Sequence, residues 1–129
     1  MSTVLERVDQ QTTTVDVILR GLLAYDEIVG AVAVNSEGLP MGSAGMIETD
    51  IDVVSLLGAS LAGVAVRTTR RLGTGDVVGL SLVTSDGMIT IRSGGDFAVM
   101  IFSMPCDSLT LLESLIEPME QISQIVAPA

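Results

Sequence analysis

The longest apolar stretch of the chain lies in its middle, between two groups of charged residues. Asp50 and Asp52 precede it, three arginines follow it, and the residues from 53 to 66 carry no charge. Acids at the N-terminus and bases at the C-terminus complement the macrodipole of a helix, and Gly73 provides a stop signal. The pattern therefore predicts a long helix over 50–72. Because an amphipathic surface helix needs one apolar stripe and this one has more, we expect a partner on a second face.

Five short apolar runs, separated by turn clusters, predict five strands. Two of them are apolar throughout and should be central, whereas Pro40 places another run at a sheet edge because proline has no N–H to donate. Every link from strand to strand is a short hairpin, so the predicted sheet is mostly antiparallel and the fold class is α+β. The predicted strands are Ile28–Val34, Leu39–Ser43, Asp76–Thr84, Met88–Arg92 and Phe97–Ser103.

Both ends of the chain show helical spacing of apolar residues. The first segment is either one helix from about residue 3 or a loose arm over 1–13 followed by a helix from about Thr14, because three consecutive threonines weaken its middle. The last segment begins after Pro105, and Pro118 should kink it or divide it in two. No internal repeat or linker appears, so we expect a single domain over residues 1–129.

The composition excludes several classes of function. The net charge of −10 disfavours nucleic acids and anionic membranes, which need a positive patch. Histidine is absent, which removes Ser-His-Asp chemistry and His–metal ligation, and the single cysteine, Cys106, allows neither an intramolecular disulfide nor a zinc cluster. The apolar run over 53–66 is shorter than the roughly 20 residues that span a bilayer, and no secretory signal is recognisable. We therefore expect a soluble, cytoplasmic protein without membrane insertion.

The residues that could carry chemistry all have plainer explanations. The glycines of 73–75 and 94–95 lack the lysine that a phosphate-binding loop needs, so turns explain them. Cys106 has no visible base nearby, and none of the serines lies in a nucleophile elbow. The paired acids suit a helix cap, for Asp50 and Asp52, or a solvated surface, for Glu113 and Glu117. The clustered bases suit a helix C-terminus, and they are Arg67, Arg70 and Arg71. The sequence thus predicts no catalytic, cofactor or metal site.

One hairpin is the most specific motif in the chain. Val29-Gly30 leads into the apolar run 31–34, and the turn and following residues read Asn35-Ser36-Glu37-Gly38-Leu39-Pro40. Together with the long Ala/Leu-rich helix and the turns at 85–87 and 95–96, this hairpin resembles the roadblock/dynein light chain family, over about residues 14–126. That family includes bacterial and archaeal regulators of Ras-like small GTPases.

The resemblance implies a specific fold and assembly. The sheet would have five antiparallel strands in the order 2-1-5-4-3, with the long helix on one face and the terminal helices on the other. Two copies would form a homodimer in which the strands over 76–84 pair across a two-fold axis and the long helices lie side by side. The family has no catalytic residues of its own, and its members bind small GTPases or act as adaptors in larger assemblies.

The predicted function is therefore a non-catalytic homodimeric scaffold that binds a small Ras-like GTPase and influences its nucleotide cycle. Two alternatives stay open: an adaptor subunit of a larger complex without a GTPase partner, and a small-molecule sensor with a pocket of roughly 300 Å3 or more. An enzyme that uses Cys106 or paired acids is a remote third alternative.

The dimer interface is predicted on the long helix and on the strand that follows it. We expect Val54, Leu57, Leu61 and Val64, or their neighbours, to pack on the sheet of their own chain. The small residues of the helix should allow close approach of a second helix, namely Gly58, Ala59, Ala62 and Gly63. Gly79 and Ser81 should leave room on the sheet beneath. The predicted interface residues are Leu57, Gly58, Leu61, Ala62, Ala65, Val77, Val78, Gly79, Leu80, Ser81 and Leu82.

Overall fold

The structure is a computed structural model, and it describes residues 14–45 and 50–126. The alternative of an arm or a helix extension over 1–13 lies outside the described residues. The elements follow the predicted order of helix, two strands, helix, three strands and helix, with the last helix divided. They are α1 (14–21), a 3-10 turn (Leu22–Ala24), β1 (Ile28–Asn35), β2 (Pro40–Ala44), α2 (Ile51–Leu72), β3 (Gly79–Val83), β4 (Met88–Ser93), β5 (Phe97–Ser103), α3 (Ser108–Ser114) and α4 (Ile116–Val126).

The five strands form one antiparallel sheet in the order β2-β1-β5-β4-β3, which confirms the predicted α+β class and strand order. The central strands are β1 and β5, as their uninterrupted apolar runs predict, and Ala31 lies opposite Ile101 between them. The register between β1 and β5 shifts between Ile28 and Gly30. The register between β1 and β2 shifts between Ala33 and Val34. The β3 strand is shorter than the predicted 76–84, because residues 76–78 precede the ladder and Thr84 belongs to the turn after it.

Each face of the sheet carries its own apolar layer. The face under α1, α3 and α4 is lined by Val99 and Ile101, which meet Leu19, Leu115 and Ile122 in the larger cluster. The face under α2 holds the smaller cluster, and its buried residues are Val34, Ala62, Ile91, Ala98 and Met100. The expectation of the long helix on one face and the terminal helices on the other is therefore correct.

The predicted signals set both ends of α2. Asp50 is the N-cap, and its carboxylate accepts a hydrogen bond from the N–H of Val53 at 3.3 Å. Gly73 adopts a left-handed conformation with φ 66°, and its N–H donates to the carbonyl of Arg70. The helix thus keeps all 22 residues from Ile51 to Leu72.

The last helix is divided, but the break lies before Pro118. α3 ends at Ser114 and α4 begins at Ile116, so Pro118 falls in the first turn of α4, where a missing N–H leaves no helical hydrogen bond unmade. The prediction of two pieces is confirmed. Asp107, rather than Pro105, marks the start of α3: its carboxylate accepts a hydrogen bond from the N–H of Leu109 at 3.2 Å.

Candidate functional site

The face of α2 that lies on the sheet is made of small residues. Ser55, Gly58 and Ala62 are its buried positions. A Cβ atom built on Gly58 would overlap the Sδ atom of Met100, which projects from β5. The sheet supplies the bulk at this contact and the helix supplies the space. The interpretation of the small residues as a seat for a second helix is therefore wrong for Gly58 and Ala62, which lie inside the protomer.

Several large apolar residues of α2 lie on a second face that points away from the sheet. Leu57 is 58% exposed and Val64 is 51% exposed, so the expectation that they pack on their own sheet is wrong. Val54 and Leu61 lie at the border, partly buried against the smaller cluster. The residues of this face follow one another at alternating intervals of four and three, the spacing at which two helices interlock. We call them the outer stripe: Asp50, Val54, Leu57, Leu61, Val64, Thr68 and Arg71.

The outer stripe is apolar in the middle and oppositely charged at its ends. Asp50 begins it and Arg71 ends it. Within residues 14–45 and 50–126, Arg67, Arg70 and Arg71 make no ion pair, so these bases are available to another molecule.

The β3 strand lies at one edge of the sheet, next to α2. Among the described residues its only neighbouring strand is β4. Leu80 and Leu82 stand opposite Ile91 and Ile89, on the α2 side of the sheet. The sequence Gly79–Val83 contains no proline and no charge, the usual means of blocking an edge.

Two further β3 residues, Gly79 and Ser81, face the terminal helices. Ser81 shares a hydrogen bond of 2.9 Å with the buried hydroxyl of Thr90. A Cβ on Gly79 would collide with Leu112 of α3. The predicted space beneath α2 at Gly79 and Ser81 is therefore on the opposite side of the sheet.

The opposite edge of the sheet, at β2, is blocked. Pro40 has no N–H to offer. The N–H of Ser43 donates to Asp16 Oδ1 of α1 at 2.7 Å, so it is already satisfied. Gly42 allows this close approach, because a Cβ there would lie 2.7 Å from the same carboxylate oxygen. Of the two edges, β3 is the one left open to a strand from another chain.

The predicted interface residues divide by their position in the protomer. Gly58 and Ala62 are buried beneath α2, and Gly79 faces α3. The other eight are wholly or partly accessible on the outer side of α2 or along β3. These eight are Leu57, Leu61, Ala65, Val77, Val78, Leu80, Ser81 and Leu82. Sequence reasoning missed the assignment of faces on α2, although the four-three spacing of the outer stripe is visible in the sequence.

The remaining candidates for chemistry have structural roles or stand alone. Asp50 and Asp107 cap helices. Cys106 is half-buried against the larger cluster, and its N–H donates to Met88 Sδ at 3.2 Å. In the part of the chain that the structure describes, no group of three or more acidic or cysteine side chains could hold a metal ion.

By length and composition, α2 could cross a membrane. In this fold it covers one face of a sheet, with Ser55, Gly58 and Ala62 against the strands. α2 is therefore part of the folded domain, as the layer that packs on one face of its sheet.

The sequence model of the Roadblock/LC7 domain family matches residues 14–102 of this chain. Among curated protein sequences, no relative is found. The match spans the sheet and α2 and includes the hairpin that carries the resemblance.

Solved structures with the same fold include a Roadblock/LC7 domain from Streptomyces avermitilis, at 16% identity and a TM-score of 0.79 over 88% of this chain and 98% of the other. MglB from Myxococcus xanthus has 14% identity and a TM-score of 0.71, over 88% and 92%. The gliding protein MglB from Thermus thermophilus has 12% identity and a TM-score of 0.64, over 100% and 96%. At these identities the likeness shows the fold.

Proposed function

We propose, from the premise that this chain belongs to the Roadblock/LC7 domain family, that it is a non-catalytic homodimeric scaffold in the cytoplasm that binds a small Ras-like GTPase and influences its nucleotide cycle. The observation that carries the dimer is the outer stripe of α2 beside the open edge of β3. Two adjacent elements thus expose apolar surface and unpaired backbone on the same side of the protomer.

The order of residues in the outer stripe favours a second copy in antiparallel orientation. If two stripes meet with Leu61 on a two-fold axis, Leu57 faces the partner's Val64 and Val54 faces the partner's Thr68. The ends then bring Asp50 next to the partner's Arg71, twice by symmetry. Because the contact is isologous, one stripe satisfies both sides of the interface. A parallel pairing would place like charges together at each end.

The open β3 edge is consistent with the same axis. Pairing of two β3 strands would join the two sheets into one of ten strands, as the family resemblance implies, and would cover the uncharged backbone of Gly79–Val83. The blocked β2 edge would limit this growth to two copies.

The GTPase partner is supported by membership in the family rather than by a particular residue. The family resemblance implies a dimeric platform that binds small GTPases or an adaptor subunit of a larger assembly. The charge of −10 favours a partner with a basic contact surface and electrostatically guided association. The described residues show paired acids only as caps or on the surface, which suits a binding platform better than an enzyme.

Two measurements test the two halves of this proposal. Light scattering at micromolar concentration should give the mass of two chains, and a monomer would overturn the dimer. A pull-down with a small GTPase encoded next to this protein, loaded with GDP or with a GTP analogue, should show binding that depends on the nucleotide. A dimer that binds the GTPase in neither state would contradict the partner and leave the adaptor alternative.

A further inference from the structure

A cleft of about 270 Å3 lies between α2 and the sheet, where β1 ends and β5 begins. Its floor is apolar and includes Val34, Ala62 and Ala98, all of which are buried. The small side chains of Ala59, Ala62 and Gly63 on α2 leave the space for this cleft. A groove with an apolar floor and a few polar groups at its rim is the usual form of a small-molecule site.

The rim of the cleft offers hydrogen-bond donors. It is formed by Asn35, Ser36, Ser93 and Arg67. The side-chain oxygen of Asn35 accepts from the N–H groups of Glu37 and Leu39 at 2.9 and 3.0 Å, so its NH2 group remains as a donor. Among the described residues, nothing engages the guanidinium of Arg67 or the hydroxyls of the two serines.

Two turns hold this rim in place before any ligand arrives. The N–H of Ser36 donates to the carbonyl of Asp96 at 3.1 Å and ties the turn after β1 to the turn before β5. The N–H of Gly94 donates to the carbonyl of Phe97 at 2.8 Å and closes the second turn. A rim that is already ordered lowers the entropic cost of binding.

Arg67 gives the cleft its charge preference. Its guanidinium lies over Gly63, since a Cβ at that glycine would be 3.4 Å from Arg67 Nη1. The acids of the two turns, Glu37 and Asp96, do not line the cleft. An unpaired guanidinium above an apolar floor suits an anion with a compact apolar body.

We propose that this cleft binds a small organic carboxylate, with its apolar part against Val34 and Ala98 and its carboxylate at Arg67. The apolar floor of this site lies apart from the proposed dimer contact. The helical period places Ala59 and Gly63 on the side of α2 away from the outer stripe, so the floor stays open when two stripes meet. Arg67 lies between that side and the stripe residues Thr68 and Arg71.

Benzoate is a suitable probe, and benzamide is its neutral match in shape. A cavity of about 150 Å3 can hold a benzene ring, so the cleft has room for either compound. For a ligand of this size we expect a dissociation constant of about 1 mM. Titration of the 15N-labelled full chain, followed by amide chemical shifts, should give saturable changes confined to the cleft, and benzoate should bind roughly fivefold tighter than benzamide.

Two variants make the test specific. Arg67→Gln should abolish the preference for benzoate over benzamide, whereas the matched control Arg70→Gln, which removes an arginine outside the cleft, should keep it. Gly63→Leu should fill the cleft and remove binding of both compounds while leaving the melting temperature at or above that of the parent. Light scattering of both variants should still give the mass of the parent assembly.

Three results would overturn the proposal. They are amide shifts that are absent or lie outside the cleft, equal affinities for benzoate and benzamide in the parent chain, and a preference for benzoate that survives Arg67→Gln. Failure of the GTPase pull-down has no bearing on these results, so the two proposals fail separately.

Discussion

Gly58 of α2 lies so close above the sulfur of Met100 that a methyl group on the glycine would occupy the same space. Met100 is 3% exposed and stands in the middle of the sheet, so its side chain has little room to move. The distance between helix and sheet is therefore set by a glycine on one side and a methionine on the other. This contact decides which face of α2 is inside and which is left for a partner.

Gly58→Ala should lower the free energy of unfolding by about 1–2 kcal/mol, because the strain of overpacking exceeds the gain in helix propensity. Gly63→Ala is the matched control, since its methyl group meets only the end of Arg67 at 3.4 Å, and it should raise stability by up to about 1 kcal/mol. Urea denaturation measures both. Equal stabilities of the two variants would contradict the close contact. Adding Met100→Val to Gly58→Ala should restore part of the lost free energy of unfolding.

The buried hydroxyl of Ser55 gives a prediction of the opposite sign. Ser55 is fully buried against the sheet, and among the described residues its Oγ atom has no hydrogen-bond partner. Ser55→Ala should therefore raise stability by about 1 kcal/mol, because it removes an unsatisfied polar group and improves helix propensity. Ser60→Ala serves as the control: that hydroxyl is exposed and donates to the carbonyl of Leu56 at 2.9 Å, so the change should be near zero. A loss of stability in Ser55→Ala would show that the hydroxyl is satisfied.

The outer stripe predicts which substitutions dissociate the proposed dimer. Leu57→Asp puts a charge into the centre of the seam and should weaken association by roughly 100-fold or more. The protomer should remain folded, since Leu57 is mostly exposed. Val17→Asp is the control, an equally drastic change at a position that is 63% exposed on the opposite layer. Sedimentation equilibrium measures both, and an unchanged dimer in Leu57→Asp would place the interface elsewhere.

The charged ends of the stripe predict the orientation of the two helices. Arg71→Glu would bring an acid next to the partner's Asp50 at both ends and should weaken the dimer by about tenfold. Arg70→Glu changes the charge equally on the side of the helix away from the stripe and should have a smaller effect. The difference between the two variants should shrink at about 1 M salt, where screening acts within a few ångströms. Equal effects of both variants at low salt would argue against the antiparallel register.

The sequence predicted the elements of this fold well, and it predicted the faces of α2 poorly. Strands such as Phe97–Ser103 are marked by their uninterrupted apolar residues, and α2 is marked by Asp50 and Gly73 at its ends. The inner face of α2 is different. Placing the larger side chains inside is the usual rule, yet here Met100 and Ile91 of the sheet supply the volume, and the helix fits them with Gly58 and Ala62. Only the strand partners, which are distant in sequence, decide between the two arrangements.

The contact between Asp16 and Ser43 could not be predicted for the same reason, since 27 positions separate the two residues. This contact also predicts that the protein assembles no further than two chains. Asp16→Ala would leave the N–H of Ser43 without its acceptor and expose a backbone donor at the edge of β2. The lost charge-assisted hydrogen bond should lower the free energy of unfolding by about 1–2 kcal/mol. The freed edge should also allow assemblies larger than two chains at high concentration.

Asp26→Ala removes the same charge from an exposed position and is the control for the change in net charge. Light scattering over a range of concentrations distinguishes the two variants. If Asp16→Ala keeps both the mass and the stability of Asp26→Ala, the carboxylate does not guard this edge, and Pro40 alone must account for its protection.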